Sequence, residues 1–498
     1  MRILLVYPEY PDTFWSFRHA LRIASKRASL PPLGLLTVAA MLPRNWEVKL
    51  VDMNVGRLKD KDIERADYVF LSAMAVQRRS VRDVIGRCRR LGTRIVAGGP
   101  LFTAEREAFA DVDHLVLGEA ENTVPHLVED LQSGRAKPLY DDAGHPDISR
   151  TPVPEWSLID LKDYTSLSLQ YSRGCPYDCE FCDVVVLNGR EPRLKSREQV
   201  LNELEAIYRA GWRDGVFIVD DNFIGNRRKL KEDILPAVAA WQGERKNPFM
   251  FFTEASINLA DDDELMRLMV AAGFNSVFIG IESPHEESLV ECNKSQNRGR
   301  DLIASVKRIQ ENGFQVQGGF VLGFDSDPAN IFERQVNFIQ RTGIVTAMVS
   351  LLNAPRGTRL YERLRKENRL LENFSGDNTD CSINFVPRMD REALLNGYRQ
   401  VLTTIYSSRH YYDRVRTFLE HCRSQRKKLP RLQLWHVRAL LRSIWFLGVK
   451  DRDRLLYWHM VLSSLFRRPR TFPLVVAFAI YGFHFRTVVR KYTSQRLG

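Results

Sequence analysis

The sequence predicts an α/β chain made of a doubly wound parallel sheet, a partial barrel of parallel strands and an all-helical region. Three observations carry this. Short β-rich apolar runs alternate with helical patterns over residues 1–130, and strands spaced by helices imply a parallel sheet covered on both faces. A second alternating series opens at Ser168 and supplies six more strand candidates. Beyond about Pro355 the strand signals stop and only helical periodicity remains.

In the first series the strand candidates are Arg2–Pro8, Glu47–Asn54, Tyr68–Met74, Arg94–Pro100 and His114–Glu119, with helical patterns such as Leu33–Leu42 and Ser80–Leu91 between them. Ligands on such sheets bind beyond the carboxyl ends of the strands. That makes Asp52, Asn54, Ser72, Gly98, Gly99, Gly118 and Glu119 candidate binding residues. Residues 131–167 read as a partly extended linker around Thr151-Pro-Val-Pro-Glu-Trp, because proline removes a backbone donor and keeps the preceding residue out of a helix.

From 168 to 355 the strand candidates are Leu167–Tyr171, Gly215–Asp220, Phe249–Ala255, Ser276–Glu282, Gln315–Leu322 and Thr346–Leu351. Helical patterns at Arg197–Ala210, Asp261–Ala272, Arg300–Asn312 and Pro328–Thr342 separate them. This describes a partial or full (β/α) barrel, with its working residues on loops at the carboxyl ends of the strands. Residues 356–430 read as a helical extension, with Leu360–Asn368, Arg391–Ser407 and Arg409–Arg423 as its helices. Residues 431–498 form a tail with helical candidates Leu432–Val449, Arg454–Phe466 and Phe472–Val489.

Charge separates the tail from the body. Residues 421–498 hold 17 Lys and Arg against Asp451 and Asp453 alone, whereas residues 1–420 hold 56 against 59 acids. A basic catalytic body is therefore excluded. The fourteen residues Phe472 to Phe485 carry no formal charge and are flanked by Arg467, Arg468, Arg470 and Arg486, which suits an interfacial helix on anionic lipid. A basic-surfaced bundle capping the barrel is the alternative, and nonspecific phosphate contact with nucleic acid is a third, less favoured one. Seven cysteines, three of them clustered, do not read as a disulfide framework. The N-terminal apolar run is too short for a signal peptide, and no stretch reaches the roughly 18–20 uncharged apolar residues that span a bilayer. The expected location is the cytoplasm, peripheral at the inner membrane face if the tail meets lipid.

The chemistry is concentrated in the run from Tyr171 to Cys182, Tyr-Ser-Arg-Gly-Cys-Pro-Tyr-Asp-Cys-Glu-Phe-Cys. The C-x₃-C-x₂-C spacing of Cys175, Cys179 and Cys182 can wrap three thiolates around three corners of a cubane iron–sulfur cluster, leaving the fourth iron open to a small molecule. Structural zinc needs a fourth closed ligand, and the nearest other cysteines are Cys88 and Cys292. Gly174 lets the backbone turn tightly ahead of the loop.

This loop resembles the signature of the radical S-adenosylmethionine (AdoMet) family, with Phe181 at the usual aromatic position. The resemblance implies a 4Fe–4S cluster on the three cysteines, whose open iron binds AdoMet and whose electron cleaves it. Val219-Asp-Asp-Asn-Phe resembles the acidic motif that meets the AdoMet amino group, through Asp220 or Asp221, although the commoner form is Gly-Gly-Glu. Phe278-Ile-Gly-Ile-Glu-Ser resembles the strand that meets the ribose, through Glu282 or Ser283. Gly318-Gly-Phe-Val-Leu-Gly-Phe resembles the glycine strand beside the adenine, with Gly319 as its contact.

Residues 1–130 resemble the Rossmann-like cobalamin-binding domain that precedes the barrel in one radical AdoMet subgroup, through Pro31-Pro-Leu-Gly-Leu, Val51-Asp-Met-Asn, Gly98-Gly-Pro and Gly118-Glu-Ala-Glu. A flavin, a nucleotide or no ligand is the alternative, since fold does not fix a ligand. Where cobalt-ligating relatives carry Asp-x-His-x-x-Gly, this chain runs from Asp52 through Asn54 to Arg57, so the resemblance implies a corrinoid without a lower histidine. His19, His114 and His126 lack a spacing motif for that role.

The matched resemblance covers roughly residues 1–355, and the helical region after it looks like the extra domain of the subgroup that includes the hopanoid C-2 methylases. That implies a methyltransferase using two AdoMet molecules: one methylates cob(I)alamin, and the other yields a 5′-deoxyadenosyl radical. The radical takes hydrogen from an unactivated carbon of a lipid-like substrate, which then accepts the methyl group. A one-electron donor such as a flavodoxin or ferredoxin is implied too. A radical AdoMet enzyme acting on tRNA, a peptide or a tetrapyrrole explains the core equally well, whereas a noncatalytic corrinoid sensor leaves the cysteine loop unexplained.

Overall fold

The computed structural model describes all residues except 143, 372–374, 378, 423–433 and 495–498, with no side chain described for 494. The expected boundary at residue 430 lies outside the described residues. So do the end of the predicted helix Arg409–Arg423 and the start of Leu432–Val449.

The first sheet contains β1 (Arg2–Tyr7), β2 (Glu47–Asp52), β3 (Tyr68–Ser72), β4 (Arg94–Gly98), β5 (His114–Val116) and β6 (Leu139–Tyr140), paired in the order β2-β1-β3-β4-β5-β6. Every pairing is parallel. Side chains alternate between two cores. Leu4, Val6, Val69 and Leu71 pack against the helix Arg78–Leu91. Ile3, Leu5, Phe70 and Val96 pack against Leu33–Met41 and Ala120–Gln132. Burial on both faces explains why these strands read as continuous apolar runs. The chain leaves β1 for one side of the sheet and β3 for the other, which creates a crevice at their carboxyl ends. Strand β6 comes from the segment expected to be a linker; at two residues it is too short to leave a periodic signal.

After β7 (Ser166–Leu169), a short antiparallel hairpin of β8 (Ser172–Arg173) and β9 (Arg193–Leu194) brackets the cysteine loop. The second sheet continues through β10 (Gly215–Ile218), β11 (Met250–Glu254), β12 (Phe274–Glu282), β13 (Gln315–Leu322) and β14 (Ala347–Leu351). Its order, β14-β13-β12-β11-β10-β7, is sequential and parallel, with β7 and β14 at opposite edges. The barrel is therefore partial. Ser196, Asp262 and Asp301 cap three of its helices through backbone N–H groups of the first turn. Outward residues such as Val216, Phe251, Val277 and Val316 are fully buried under those helices. The inward Phe217, Phe252, Gln317 and Met348 are only half-buried. Where a closed eight-stranded barrel fills its centre with side chains, this one is hollow.

Sequence-remote segments close its open side. Phe14 stacks on Phe485 with centroids 4.3 Å apart, His484 Nε2 donates to the Phe14 carbonyl at 2.9 Å, and Trp15 Nε1 lies 2.9 Å from Met348 Sδ on edge strand β14. In the last helix, Phe472–Ser494, the side chains of Val475, Phe478, Ala479 and Phe485 are fully buried. Gly482 lets the Tyr411 ring approach so closely that a Cβ would sit 2.5 Å from it. The uncharged run expected to lie on lipid is thus a strut of the core, because its apolar residues surround the helix instead of forming one stripe. Pro469–Thr493 is 25 residues long and apolar enough to cross a membrane by length and composition, although 61% of its most apolar window is buried in the protein.

Candidate active site

Two adjacent acids hold the cysteine loop in place. Asp220, at the end of β10, is fully buried and accepts from Tyr171 N at 2.8 Å, Ser172 N at 2.8 Å and Ser172 Oγ at 2.6 Å. Burial pushes its carboxyl up to about 7 against the pull of these donors. Asp221 points the other way, and its Oδ2 accepts from Gly174 N and Asn188 Nδ2, both at 3.0 Å. The loop is pinned on both flanks. Gly174 has a φ of 96°, and a Cβ there would meet the Glu191 carbonyl at 2.8 Å, so only glycine turns the chain here.

Cys175, Cys179 and Cys182 are free thiols, each half-buried. Burial pushes Cys175 up and Cys182 up to about 12, so thiolates here need a cation to stabilise them, as a metal does. Among the described residues no three His, Cys, Asp or Glu converge as a single ion requires. A cubane holds its three ligands further apart than one zinc would. The loop fits a cluster, which the three cysteines would hold.

Beside it, Glu282 ends β12 with a φ of 62° and accepts from Lys294 Nζ at 2.6 Å. Burial opposes the Lys294 charge, but Glu282, with Cys179 beside it, outweighs burial and holds the ammonium protonated. Sequence reasoning missed Lys294; its signal is the short run Cys292-Asn-Lys, which returns to the loop. It also missed Glu254, which ends β11 and lines the central cavity. Burial first, then Asp221 and Asp220, push Glu254 up to about 7. Ser283 faces elsewhere: it is fully buried and its Oγ accepts from His285 N at 3.2 Å. Gly319 makes room for a neighbour, since a Cβ would meet the Phe278 ring at 2.8 Å.

At the crevice of the first sheet, Asn54, Ser72, Gly98, Gly99, Gly118 and Glu119 line the cavity. Asp52 does not; its carboxylate accepts from Tyr164 Oη at 3.0 Å, Asn54 N at 2.9 Å and Asn54 Nδ2 at 2.8 Å. The side-chain carbonyl of Asn54 accepts from Tyr10 N at 2.8 Å, so a hydrogen-bonded amide stands at the sequence position where the cobalt-ligating motif carries histidine. Gly99 has a φ of 92°, and a Cβ there would meet Ser72 Oγ at 2.6 Å. The small residues Ser72, Gly98, Gly99 and Gly118 leave room for a broad ligand at the strand ends, which fits a corrinoid. His19 pairs with Asp12 at 3.0 Å, and His114 Nδ1 bonds the Lys137 carbonyl at 2.7 Å. Glu119 is not a free contact. It pairs with Arg173 and Arg193, each at 2.6 Å, while Arg173 also pairs with Glu121 at 2.7 Å. These ion pairs tie the first sheet to the hairpin around the cysteine loop.

One cavity of about 2460 Å³ joins the parts. It runs from Tyr10, Ser72 and Gly99 past Arg173, Asn188 and Asp221, and down the barrel along Phe217 and Phe252. A doubly wound sheet whose ligand crevice shares a cavity with Arg173, Asn188 and Asp221, the residues that flank and hold a three-cysteine loop on a partial barrel, is the architecture of a radical AdoMet enzyme with its own B12 domain. Residues 21–128 match the B12 binding domain, 169–334 the Radical SAM superfamily and 358–496 a domain of unknown function (DUF4070). The chain is 40% identical to an uncharacterized methyltransferase of Synechocystis sp., over 100% of this chain and 94% of that protein. It is 32% identical to the hopanoid C-2 methylase of Rhodopseudomonas palustris, over 94% and 90%. Its fold resembles that of OxsB, a cobalamin-dependent S-adenosylmethionine radical enzyme solved with aqua-cobalamin bound (TM-score 0.63, 17% identity, 98% of this chain and 80% of that one). The chain belongs to the cobalamin-dependent radical AdoMet methyltransferases, and its cofactors are a 4Fe–4S cluster, AdoMet and cobalamin.

Proposed function

We propose that this methyltransferase acts on an unactivated carbon of a lipid-like substrate, and that the substrate is a hopanoid methylated at C-2. The hollow barrel carries this reading. Phe217 and Phe252 stack at 4.9 Å, Trp15 meets Phe278 edge-on at 5.6 Å, and all four line the cavity. Flat aromatic walls suit an apolar polycyclic body, and the amides of Gln315 and Gln317 in the same cavity suit a polar end. The hopanoid C-2 methylase at 32% identity supports the same substrate class.

When bound, the cluster, AdoMet and corrinoid supply radical methyl transfer to a carbon that acid–base chemistry cannot activate. The chain's own residues hold and shield them. Cys175, Cys179 and Cys182 would hold the cluster. Asp221 would meet the AdoMet ammonium, Lys294 its carboxylate and Glu282 its ribose. Asn54, Ser72, Gly98, Gly99 and Gly118 would line the corrinoid's seat. The aromatic walls keep water from the reacting carbon. A flavodoxin or ferredoxin would supply the electron.

Deleting the gene and profiling lipid extracts by mass spectrometry tests the substrate. Loss of a polycyclic lipid heavier than its parent by one CH₂, restored by complementation, is the expected result. An unchanged lipid profile overturns the lipid reading and leaves the family chemistry standing.

A further inference from the structure

The two helical segments before the last helix, 434–450 and Arg454–Arg467, are apolar on two sides. Their inner sides, through Ala439, Leu447, Tyr457 and Val461, are buried against the body. Their outer sides face solvent, with Leu441 62% exposed, Trp445 52%, Leu455 79% and Phe466 79%. These are not scattered residues. Val437, Leu441, Trp445 and Val449 recur at i+4 along one helical stripe, and Leu455, Leu462 and Phe466 repeat the pattern on the next helix. A soluble surface seldom keeps two such stripes side by side uncovered.

Charge identifies what covers them. Arg438, Arg442, Lys450, Arg454, Arg467 and Arg470 are all exposed around the stripes, and the Lys450 ammonium lies 5.2 Å from the exposed Trp445 ring. The two acids of the segment are turned inward: Asp451 pairs with Arg486 at 3.1 Å, and Asp453 accepts from Ser408 Oγ. An apolar face rimmed by cations, with an aromatic ring beside a lysine, matches the boundary between acyl chains and anionic headgroups. The central cavity reaches this face as well, since Val437 and Leu465 are both exposed and both line it.

We propose that segments 434–450 and Arg454–Arg467 dock this enzyme on an anionic lipid bilayer, with the mouth of the cavity opening between them toward the acyl chains. The apolar stripes enter the headgroup boundary, the flanking cations pair with lipid phosphates, and the last helix stays within the protein as a strut. This surface is distinct from the uncharged run at 472–485. The docking itself does not rest on the hopanoid reading, because a vesicle needs no substrate to bind.

The test is sedimentation of the full-length holoenzyme with vesicles of phosphatidylglycerol and phosphatidylcholine, against vesicles of phosphatidylcholine alone. The expected result is binding that favours phosphatidylglycerol and weakens with salt. The double variant Trp445→Glu/Phe466→Glu should bind at least about tenfold more weakly while keeping iron and corrinoid content and the circular dichroism spectrum unchanged. A second variant, Arg438→Gln/Arg442→Gln, should lose the preference for phosphatidylglycerol and leave thermal stability unaltered. The proposal is overturned if the wild type does not bind phosphatidylglycerol vesicles, or if both variants bind like wild type. It is also overturned if light scattering shows a dimer that the Trp445→Glu/Phe466→Glu substitution dissolves, because the stripes would then belong to a second copy. Docking with an unchanged lipid profile in the deletion strain would sink the substrate reading alone.

Discussion

Asp220 and Asp221 are neighbours with opposite duties, and they fail differently when changed. Asp220→Ala leaves two backbone N–H groups and a hydroxyl buried without an acceptor. Stranded buried donors cost roughly 1–3 kcal/mol each, so about 3 kcal/mol or more of stability should go, read by thermal denaturation, together with iron content. Asp221→Asn keeps the size of the side chain and lies beside the cavity. Its expected effect is weaker AdoMet binding in equilibrium dialysis with iron retained. Lys294→Met gives a sharper case. It removes the ammonium paired to Glu282 and should weaken AdoMet binding by on the order of tenfold, while Lys294→Arg should recover most of it. If Lys294→Met binds AdoMet normally, its assignment to the carboxylate is wrong. The Asp-Asp motif was legible as chemistry but not as geometry. Consecutive residues leaving a strand point to opposite sides, and only the packed turn decides which one is buried. Lys294 escaped notice because its signal, the short run Cys292-Asn-Lys, gains meaning only once the fold brings it back to the cysteine loop.

Elements reveal what local pattern reading finds and what it passes over. The eleven longer strands announce themselves through apolar runs between helical periods, whereas β6 and the β8–β9 hairpin contain two residues per strand and carry no period. The hairpin nevertheless governs how the two sheets meet. Arg173 on β8 and Arg193 on β9 reach Glu119 beyond β5, and Arg173 also reaches Glu121. With about a seventh or less of each arginine side chain and a tenth or less of each glutamate exposed for the Arg173 pairs, these pairs escape most solvent screening. Arg173→Ala leaves Glu121 buried without its partner, and breaking such a pair costs roughly 3–5 kcal/mol. The functional expectation is separate from stability. The cluster loop and the corrinoid seat would lose their common register, and a misplacement of about 1 Å can cost on the order of 10²-fold in rate. Arg173→Ala should therefore still release 5′-deoxyadenosine while methylated product falls, so the ratio of the two by liquid chromatography and mass spectrometry rises. An unchanged ratio would reduce the network to a structural tie.

At the scale of the molecule, the partial barrel becomes a closed vessel only when the two ends of the chain meet at its open edge. Phe14 and His484 lie hundreds of residues apart, and no periodicity in either segment hints at the contact. His484 is fully buried between Phe17 and Phe485. Its Nε2 proton goes to the Phe14 carbonyl, and its Nδ1 is buried with no hydrogen-bond partner among the described residues. Protonating Nδ1 would place a charge where nothing solvates it, so burial pushes His484 down to about 4, with His19 adding to the depression and Asp12 opposing it. Asp12 is itself held down to about 2 by His19 and Lys491 and stays ionised throughout the range concerned. An unfolded histidine titrates near 6.5, so on acidification the unfolded chain takes the proton first. Stability is therefore full above about pH 6.5, falls as pH drops toward 4, and levels off below that, with a total near 3 kcal/mol at roughly 1.4 kcal/mol per unit. Replacing His484 by Phe keeps the ring and removes the titration. Urea unfolding of both proteins between pH 7.5 and 4.5 isolates the contribution, because carboxylates common to the two cancel in the difference. The wild type should lose stability more steeply than His484→Phe across this window, and parallel curves would show that the seam between the chain ends does not depend on a neutral histidine.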